Sequence, residues 1–382
     1  MAKEKVKNID EPVRHLLWGK SAGRCELRGC GKLVYRDDLT QTELNFADIA
    51  HIIGRRANGP RGNEDVSEDR PYCNNIENLM LLCLEHHRMI DRKAKNYSSD
   101  DLRQMKKEHE DRILLQTSVN PDRRSSLVFY RSNVGQLHPA LDFHTAAQAL
   151  LPNCFPANQQ PIELGILNNP IADHDSDYWK NEIKYLERQF AIKVMPLLET
   201  GSKSHFSIFA FAPIPLLIKL GSLFADVYPV DIYQLHRNPL TWNWLEAPKD
   251  FDYPVLEPDE DNELIALNVS LSADITNDRI YDALGTRRVS IWKITAIANG
   301  HSKNDHLRSP VQLQLFANQY RRLLNRIKAS HGQKQTLHVF PAAPISACVA
   351  MGRYRQAKAD LPLQIYDQNK KRGGFYSTVY LN

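Results

Sequence analysis

The segment 45–91 constrains the fold of this chain more than any other part of the 382-residue sequence. Its polar side chains stand at the ends of apolar runs: His51, Asn78, Cys83, His86 and His87. Residues 42–53 predict a strand, and residues 76–91 predict a strand that passes directly into a helix. The pattern therefore predicts two short strands and a helix, with polar groups gathered where these elements meet.

Cysteine positions predict a structural metal site near the N-terminus. Four of the six cysteines fall within the first 83 residues, a bias that favours metal binding over disulfides in a reducing compartment. Four residues separate Cys25 from Cys30, and two separate Cys83 from His86. Two such pairs can close a tetrahedral site of three thiolates and one imidazole. Zinc suits this soft ligand set, and Cys73 is the alternative fourth ligand.

Composition and the terminal sequence narrow the class of protein. Hydrophobic residues make up 42% and charged residues 25% of the chain, as in ordinary globular proteins. No apolar run reaches about 18 residues, and the N-terminal MAKEKVKNIDEPVRH lacks the apolar core of a signal peptide. We therefore expect a cytoplasmic protein without a membrane partner. A net charge of only +4 argues against strong, sequence-independent clamping of DNA by bulk charge.

The motif RCELRGC at 24–30 and the segment 45–91 together resemble the HNH nuclease pattern. The similarity extends over residues 12–113. In that family two short strands and a helix, the ββα-metal fold, hold one metal ion. The resemblance implies an α+β HNH domain with a zinc knuckle at residues 1–115. It also implies an endonuclease, which hydrolyses phosphodiester bonds of DNA.

The chemistry of hydrolysis suggests roles for three side chains of this domain. A hydrolytic nuclease needs a base that deprotonates water and a cation that holds the scissile phosphate. His51 is the expected base, because a neutral imidazole accepts a proton near pH 7. His87 is the expected catalytic metal ligand, and Asp91 lies one turn further along the same helix face. Oxygen and imidazole ligands suit Mg, Mn or Ni.

One position departs from the HNH pattern. Many HNH proteins carry a metal-binding residue immediately before the base, where this chain has Ala50. Asp48 lies two residues before Ala50, on the same side of a strand. We expect Asp48 to supply the missing carboxylate. Whether Asp48, Asp91 or both bind the catalytic metal stays open in the sequence.

Other polar residues are expected to support the centre. Asn78 matches the central Asn of the pattern, where its amide braces the loop and fixes the orientation of the base; Asn74 and Asn75 are the alternatives. Basic side chains flank the site on both sides, and we expect them to contact the phosphates of double-stranded DNA. These are Arg55, Arg56, Arg61 and Arg88.

A change of composition marks the domain boundary. The sequence SVNPDRRSS at 118–126 lacks apolar periodicity, so we predict a linker at 116–126 and an α/β domain at 127–382. In that domain the order helix, strand, turn, helix, strand occurs at both 177–235 and 308–367. Both copies place Pro between strand and helix, in FAPIPLLIKLG and FPAAPISACVAMG, which favours an internal duplication.

A duplicated α/β unit typically binds its ligand at the carboxyl ends of its strands, which are here the two Pro-rich turns. Aromatic rings near these turns can stack on nucleobases, and basic groups can meet phosphates. The predicted ligand contacts are Pro213, Lys219, Tyr233, Trp242, Trp244, Pro341, Ser346, Arg353 and Tyr366.

Three segments of this domain look like a SAVED domain: 214–237, 241–244 and 337–368. SAVED domains resemble two fused CARF-like units of Rossmann type, which sense cyclic oligonucleotides in bacterial antiphage signalling. An HNH domain followed by SAVED is similar to effectors of CBASS defence systems. The resemblance implies that a cyclic dinucleotide or trinucleotide activates degradation of double-stranded DNA during abortive infection. A dimer or tetramer is expected on activation.

Two other functions fit parts of the sequence. In an HNH restriction-type endonuclease the second domain would recognise a DNA sequence or modified bases, although near-neutral composition after residue 127 argues against a large DNA-reading face. A zinc-knuckle adaptor would bind DNA with a degenerate active site, which Ala50 permits. The dependence of cleavage on metal and on cyclic nucleotide separates the three functions.

Overall fold

The computed structural model describes residues 8–64, 73–134, 141–166, 169, 171, 173–199, 204–298 and 305–382. The chain forms two compact units, Met1–Val119 and Asn120–Asn382. The last helix of the first unit runs to Thr117, and the first strand of the second begins at Arg124. The segment predicted as a linker therefore includes the end of a helix and the start of a strand.

The first unit contains α1 (Glu11–Ser21), β1 (Ala47–His51), β2 (Leu79–Cys83), α2 (Leu84–Arg92) and α3 (Ser99–Thr117). Strands β1 and β2 form an antiparallel hairpin in which Ala47 lies opposite Cys83 and His51 opposite Leu79. Every residue of β2 is buried, because α1 and α2 both contact it. Helix α2 begins directly after β2, so its first turn lies beside the end of the hairpin.

Strand β1 is shorter than the predicted strand 42–53. At its start Phe46 N donates a hydrogen bond to Val34 O, so the chain leaves the hairpin there. Beyond its end the side-chain oxygen of Asn78 accepts a hydrogen bond from Ile53 N at 2.9 Å. One backbone hydrogen bond across the hairpin persists on each side of β1, from Leu84 N to Phe46 O and from Ile52 N to Asn78 O, and the bonds described above then take the chain out of the ladder.

The second unit alternates strands and helices. Its first half contains β3 (Arg124–Arg131), α4 (Phe143–Ala149), β4 (Phe155–Pro156), β5 (Ile162–Glu163), α5 (Ser176–Lys193), α6 (Met195–Glu199), β6 (His205–Phe211), α7 (Ile214–Leu223) and β7 (Val230–Ile232). Four short strands follow: β8 (His236–Arg237), β9 (Leu240–Thr241), β10 (Phe251–Asp252) and β11 (Val255–Leu256). Its second half contains β12 (Leu264–Ser270), α8 (Asn277–Leu284), β13 (Val289–Thr295), β14 (Ile297–Ala298), α9 (Pro310–His331), β15 (Leu337–Ala342), α10 (Ile345–Arg353), β16 (Leu363–Asn369) and β17 (Gly374–Leu381).

Each half of the second unit has its own sheet. The first sheet is parallel, with strand order β4-β3-β6-β7 and with β5 also paired to β3. The second has the order β11-β13-β12-β15-β16-β17 and is parallel except at its two edges. The same element order, α5–β6–α7–β7 and α9–β15–α10–β16, therefore occurs twice, in an α/β fold. Strand β17 and helices α4 and α8 were not predicted.

The sequence of residues 177–199 predicts one long helix, but the structure divides it into α5 and α6. Val194 separates the two helices, and Pro196 lies at the start of the second. Proline has no backbone N–H, so it cannot donate the hydrogen bond that would continue α5. The break therefore follows from one residue that favours a helix start over a helix interior.

Helices α7 and α10 join the two halves through reciprocal glycines. A Cβ added at Gly221 of α7 would overlap the carbonyl oxygen of Val349, and one added at Gly352 of α10 would overlap that of Ile218. Only glycine lets the two backbones approach this closely. The crossing fixes the strand ends and helix starts of the two halves beside one another.

Replacing Gly221 with Ala is expected to destabilise the second unit by about 1–3 kcal/mol, because the new methyl group has no space in the α7–α10 crossing. Urea unfolding followed by tryptophan fluorescence measures the change. In Gly19→Ala the new Cβ would meet nothing within 4 Å, so that substitution in α1 is the control. An unchanged urea midpoint for Gly221→Ala would show that the crossing yields at little cost.

Candidate metal centre and ligand cavity

Three cysteines and one histidine converge at the base of the β1–β2 hairpin. The ligand atoms of Cys25, Cys30, Cys83 and His86 all lie within 4.8 Å of one another. His86 Nδ1 is 3.5 Å from Cys25 Sγ and 3.3 Å from Cys83 Sγ. In a tetrahedral zinc site the corresponding S···N separation is about 3.6 Å, so this donor set could hold one zinc ion. Cys73, the alternative ligand, lies outside the group.

Burial makes the thiols of this group depend on a cation. Cys25 is fully buried, and burial raises the pKa of its thiol to about 12. Transfer of a thiolate from water to such a site is unfavourable without a compensating positive charge. The chemistry of the group therefore fits a structural metal better than a set of free thiols.

His87 follows His86 in α2 and lies between two carboxylates, those of Asp48 and Asp91. Its Nδ1 is 3.0 Å from Asp48 Oδ2, and its Nε2 is 3.4 Å from Asp91 Oδ2. An octahedral cation with ligands at about 2.1 Å places adjacent ligand atoms about 3.0 Å apart. The Asp48–His87 pair has that spacing. Because Asp91 faces the opposite ring nitrogen, the two carboxylates do not share one His87 nitrogen.

His51 ends strand β1 and is half-buried. Its Nε2 lies 3.0 Å from Arg55 Nε and 3.2 Å from Asn74 Oδ1. Burial lowers the pKa of His51 below its usual value, and the nearby Arg55 charge acts in the same direction. The imidazole is therefore neutral near pH 7, which is the form that can accept a proton.

Asn78 and Asn74 share the role predicted for Asn78. The Asn78 amide accepts from Ile53 N and donates to the carbonyl oxygens of Ile53 and Cys73, at 2.9–3.0 Å. It braces the loop but makes no hydrogen bond to His51. Asn74 contacts the base instead, as one of the two alternatives allowed.

Arg61, which we predicted to contact DNA, is buried inside the first unit. Arg61 is 5% exposed, and its guanidinium donates to the backbone oxygens of Ile52 and Ile90. Its Nη2 also lies 3.6 Å from Asp91 Oδ1. Arg61 therefore ties the loop to α2 rather than offering a surface group to DNA. Of the other predicted contacts, Arg56 and Arg88 are exposed, and Arg55 is half-buried against His51.

A cavity of about 540 Å³ opens at the carboxyl ends of β6 and β15. Its walls include Ile214 and Ile345, the first residues of helices α7 and α10. Its polar lining comes from Gln234, His236, Arg237, Ser272 and Asp305. The positive ends of two helix dipoles and one exposed guanidinium at its edge make the cavity suited to an anionic ligand.

None of the nine predicted ligand contacts lines this cavity. Three of them, Tyr233, Trp244 and Arg353, line a second cavity of about 440 Å³. The others are packed or paired elsewhere: Pro213, Trp242, Pro341 and Ser346 are buried, Tyr366 stacks on Phe340, and Lys219 pairs with Glu187. Gln234 and His236, which line the 540 Å³ cavity, were not among the predicted contacts, although polar residues shortly after strand β7 are the signal that the carboxyl-end rule would use.

Arg353 makes backbone hydrogen bonds that the sequence did not indicate. Its guanidinium is 6% exposed and donates to the backbone oxygens of Phe224, Ala225 and Tyr228. These carbonyls follow the end of α7, so Arg353 closes that helix terminus. Its donors already have acceptors, which leaves this side chain a structural role.

Comparison with protein-family models identifies the family of the second unit. The model of the SAVED family, described as "SMODS-associated and fused to various effectors sensor domain", matches residues 186–381, which is more than half of the chain. The chain belongs to the SAVED family. The SAVED match includes both glycines of the helix crossing and all residues that line the 540 Å³ cavity. No curated protein matches the sequence.

Solved structures with a similar fold include SAVED receptors of two bacteria. The Acinetobacter baumannii Cap4 SAVED/CARF-domain containing receptor with the cyclic trinucleotide 2'3'3'-cAAA is 14% identical, with a TM-score of 0.41 over 78% of this chain and 62% of that chain. The Moraxella osloensis Cap4 receptor is 13% identical, with a TM-score of 0.38 over 78% and 60%. This chain thus spans less than two thirds of these structures. Among the described residues, no helix has the length and apolar content to span a bilayer.

Proposed function

We propose that this protein is a metal-dependent DNA endonuclease that a cyclic oligonucleotide activates, as in CBASS antiphage defence. The observation that supports the nuclease activity is the position of His87, which lies between Asp48 and Asp91. These residues belong to a ββα unit whose first strand ends at His51. A neutral base beside a carboxylate–imidazole pair is the minimum that metal-assisted hydrolysis requires. Support for activation comes from the SAVED sensor region in the same chain.

The residues divide the work of hydrolysis between them. A Mg, Mn or Ni ion, when bound, would polarise the scissile phosphate and stabilise the leaving oxygen. Asp48 and His87 Nδ1 would hold it, since their 3.0 Å separation fits adjacent ligands. Asp91, whose Oδ2 lies 3.4 Å from His87 Nε2, would pair with that nitrogen and keep the ring oriented. His51 would take the proton from the attacking water.

The Cys25, Cys30, Cys83 and His86 group would hold a structural zinc ion. It lies at the junction of β2 and α2, so it would fix the helix that carries His87 relative to the hairpin that carries His51. Its role is then to maintain geometry and not to take part in the reaction.

We assign the cyclic oligonucleotide to the 540 Å³ cavity of the SAVED region. Its volume is in the range typical of small-molecule sites. Helices α7 and α10 both begin there and direct the positive ends of their dipoles at the cavity. Pro215 has no N–H and Ser346 N donates to Gln234 Oε1, so the dipoles contribute more than free N–H groups do. The Acinetobacter baumannii receptor structures contain cyclic trinucleotides, which makes cyclic trinucleotides the first ligands to test alongside dinucleotides. Assembly into a dimer or tetramer would accompany activation.

The deciding experiment measures cleavage of plasmid DNA with each metal, with and without a panel of cyclic dinucleotides and trinucleotides. We expect double-strand breaks only when a divalent metal and one cyclic nucleotide are both present. Cutting that ignores every cyclic nucleotide would contradict activation and favour a restriction-type enzyme. Binding of a cyclic nucleotide without cutting under any metal would contradict the nuclease.

Arg237 provides the test of the cavity assignment. It is exposed on the β8–β9 hairpin at the cavity rim. Arg237→Ala is expected to weaken binding of the activating nucleotide about tenfold, the effect of losing one charge-assisted hydrogen bond to phosphate. Calorimetric titration measures the affinity. Arg288→Ala, an exposed arginine outside the cavity lining, is the matched control, and equal losses in both variants would refute the assignment.

A further inference from the structure

Two neighbours compete for one nitrogen of the His51 imidazole. Arg55 Nε lies 3.0 Å and Asn74 Oδ1 lies 3.2 Å from His51 Nε2. A guanidinium has only N–H donors, whereas an amide oxygen can only accept. His51 Nε2 must therefore be unprotonated to bond Arg55 and protonated to bond Asn74. The two hydrogen bonds exclude each other.

The position of Arg55 decides between the two bonds. Its Nη2 donates to Asn74 Oδ1 at 3.1 Å while its Nε donates to His51 Nε2. One planar group thus satisfies both acceptors, and the ring proton of the neutral imidazole lies on Nδ1. In this state neither nitrogen of His51 has a free lone pair. A general base needs one to accept a proton from water.

We propose that Arg55 is a positioning residue that keeps His51 from acting as a base until a DNA phosphate draws the guanidinium away. Asn74 then accepts a hydrogen bond from Nε2–H, which leaves the free lone pair on Nδ1. The ring loses one proton to solvent at Nδ1 and gains one from solvent at Nε2, so its charge does not change. This inference rests on the proposed nuclease function and adds a substrate-released restraint to it.

Phosphate is a suitable competitor for this guanidinium. Among the described residues Arg55 makes no ion pair with a carboxylate, so neutral acceptors alone hold it. A phosphate offers negative charge and two oxygens in the geometry of a guanidinium fork, which gives shorter and stronger hydrogen bonds. Arg61 differs, because backbone oxygens and Asp91 hold its buried guanidinium.

Chemical modification measures the lone pair without relying on activity. Diethyl pyrocarbonate attacks unprotonated imidazole nitrogens, and peptide mass spectrometry of the full-length protein follows His51 separately from other histidines. We expect Arg55→Met, which keeps the bulk of the side chain but removes its donors, to speed modification of His51 about tenfold. Arg56→Ala, at the exposed neighbouring position, should leave that rate unchanged. An unchanged rate in Arg55→Met would overturn the proposal.

Steady-state cleavage provides the second readout. Arg55→Met is expected to raise the KM for DNA, because a phosphate contact is lost, while kcat is maintained or raised, because the base is no longer restrained. A fall in kcat with an unchanged KM would overturn the proposal and indicate a purely structural side chain. If the wild-type protein cuts no DNA while Arg55→Met still exposes His51 to the reagent, the nuclease function fails and the contact between the two residues stands.

Discussion

Replacing His51 with Ala is expected to lower the rate of DNA cleavage by about 10²–10⁴-fold, the usual effect of losing a general base. The half-buried imidazole is neutral near pH 7 and ends strand β1, which also carries Asp48, so its removal takes away the proposed base. Single-turnover cleavage of plasmid DNA, with metal and the activating nucleotide at saturation, measures the loss.

His15→Ala is the control for this prediction. His15 lies on α1 with 74% of its side chain exposed, and its removal should not change cleavage. Zinc content and circular dichroism should match the wild type in both variants, because neither residue belongs to the cysteine group. Full activity of His51→Ala would show that another group deprotonates the water.

Replacing Cys83 with Ser is expected to unfold much of the first unit and to remove its zinc. Structural zinc sites contribute about 10–16 kcal/mol in small domains, more than the typical total stability of a domain of about 5–15 kcal/mol. Cys83 and His86 share the proposed site with Cys25 and Cys30, so the loss of Cys83 would release the Cys25–Cys30 segment from β2 and α2. Metal analysis and hydrogen exchange of the full-length chain measure both effects, with α7 and β15 expected to stay protected.

Cys73 offers the matched substitution. Cys73→Ser changes a half-buried cysteine of the same unit that lies outside the metal-binding group, and it should retain zinc and fold. If Cys73→Ser loses the metal and Cys83→Ser retains it, the ligand set is different from the one described.

Apolar patterns along the chain were enough to anticipate most of the fold. The run LMLLC followed by CLEHH gives β2 and α2, and the duplicated order of strands and helices appears in both halves of the second unit. Strand ends were less predictable, because hydrogen bonds from distant residues set them. Phe46 N, for example, bonds to Val34 O and ends the pairing of β1, which no local pattern indicates.

The sequence does not show in which direction a side chain points, and this limited the prediction of the site residues. Spacing along the sequence predicts sites whose ligands come in closely spaced pairs, such as the group of three cysteines and one histidine. It does not reveal whether an arginine near a site faces solvent or closes a helix end, as Arg61 and Arg353 show. The cavity proposed for the ligand lies at the starts of α7 and α10, and their crossing brings together positions more than 100 residues apart.

The crossing of Gly221 and Gly352 also restricts how the sensor can move. A slide of α7 along α10 would carry each carbonyl from a glycine towards a residue that has a Cβ, so the pair is locked in register. The crossing therefore fixes the separation of the two helix starts that line the cavity. Under the proposed ligand assignment, cyclic nucleotides of different ring size would be accommodated by the β8–β9 hairpin, which lines the cavity outside the crossing.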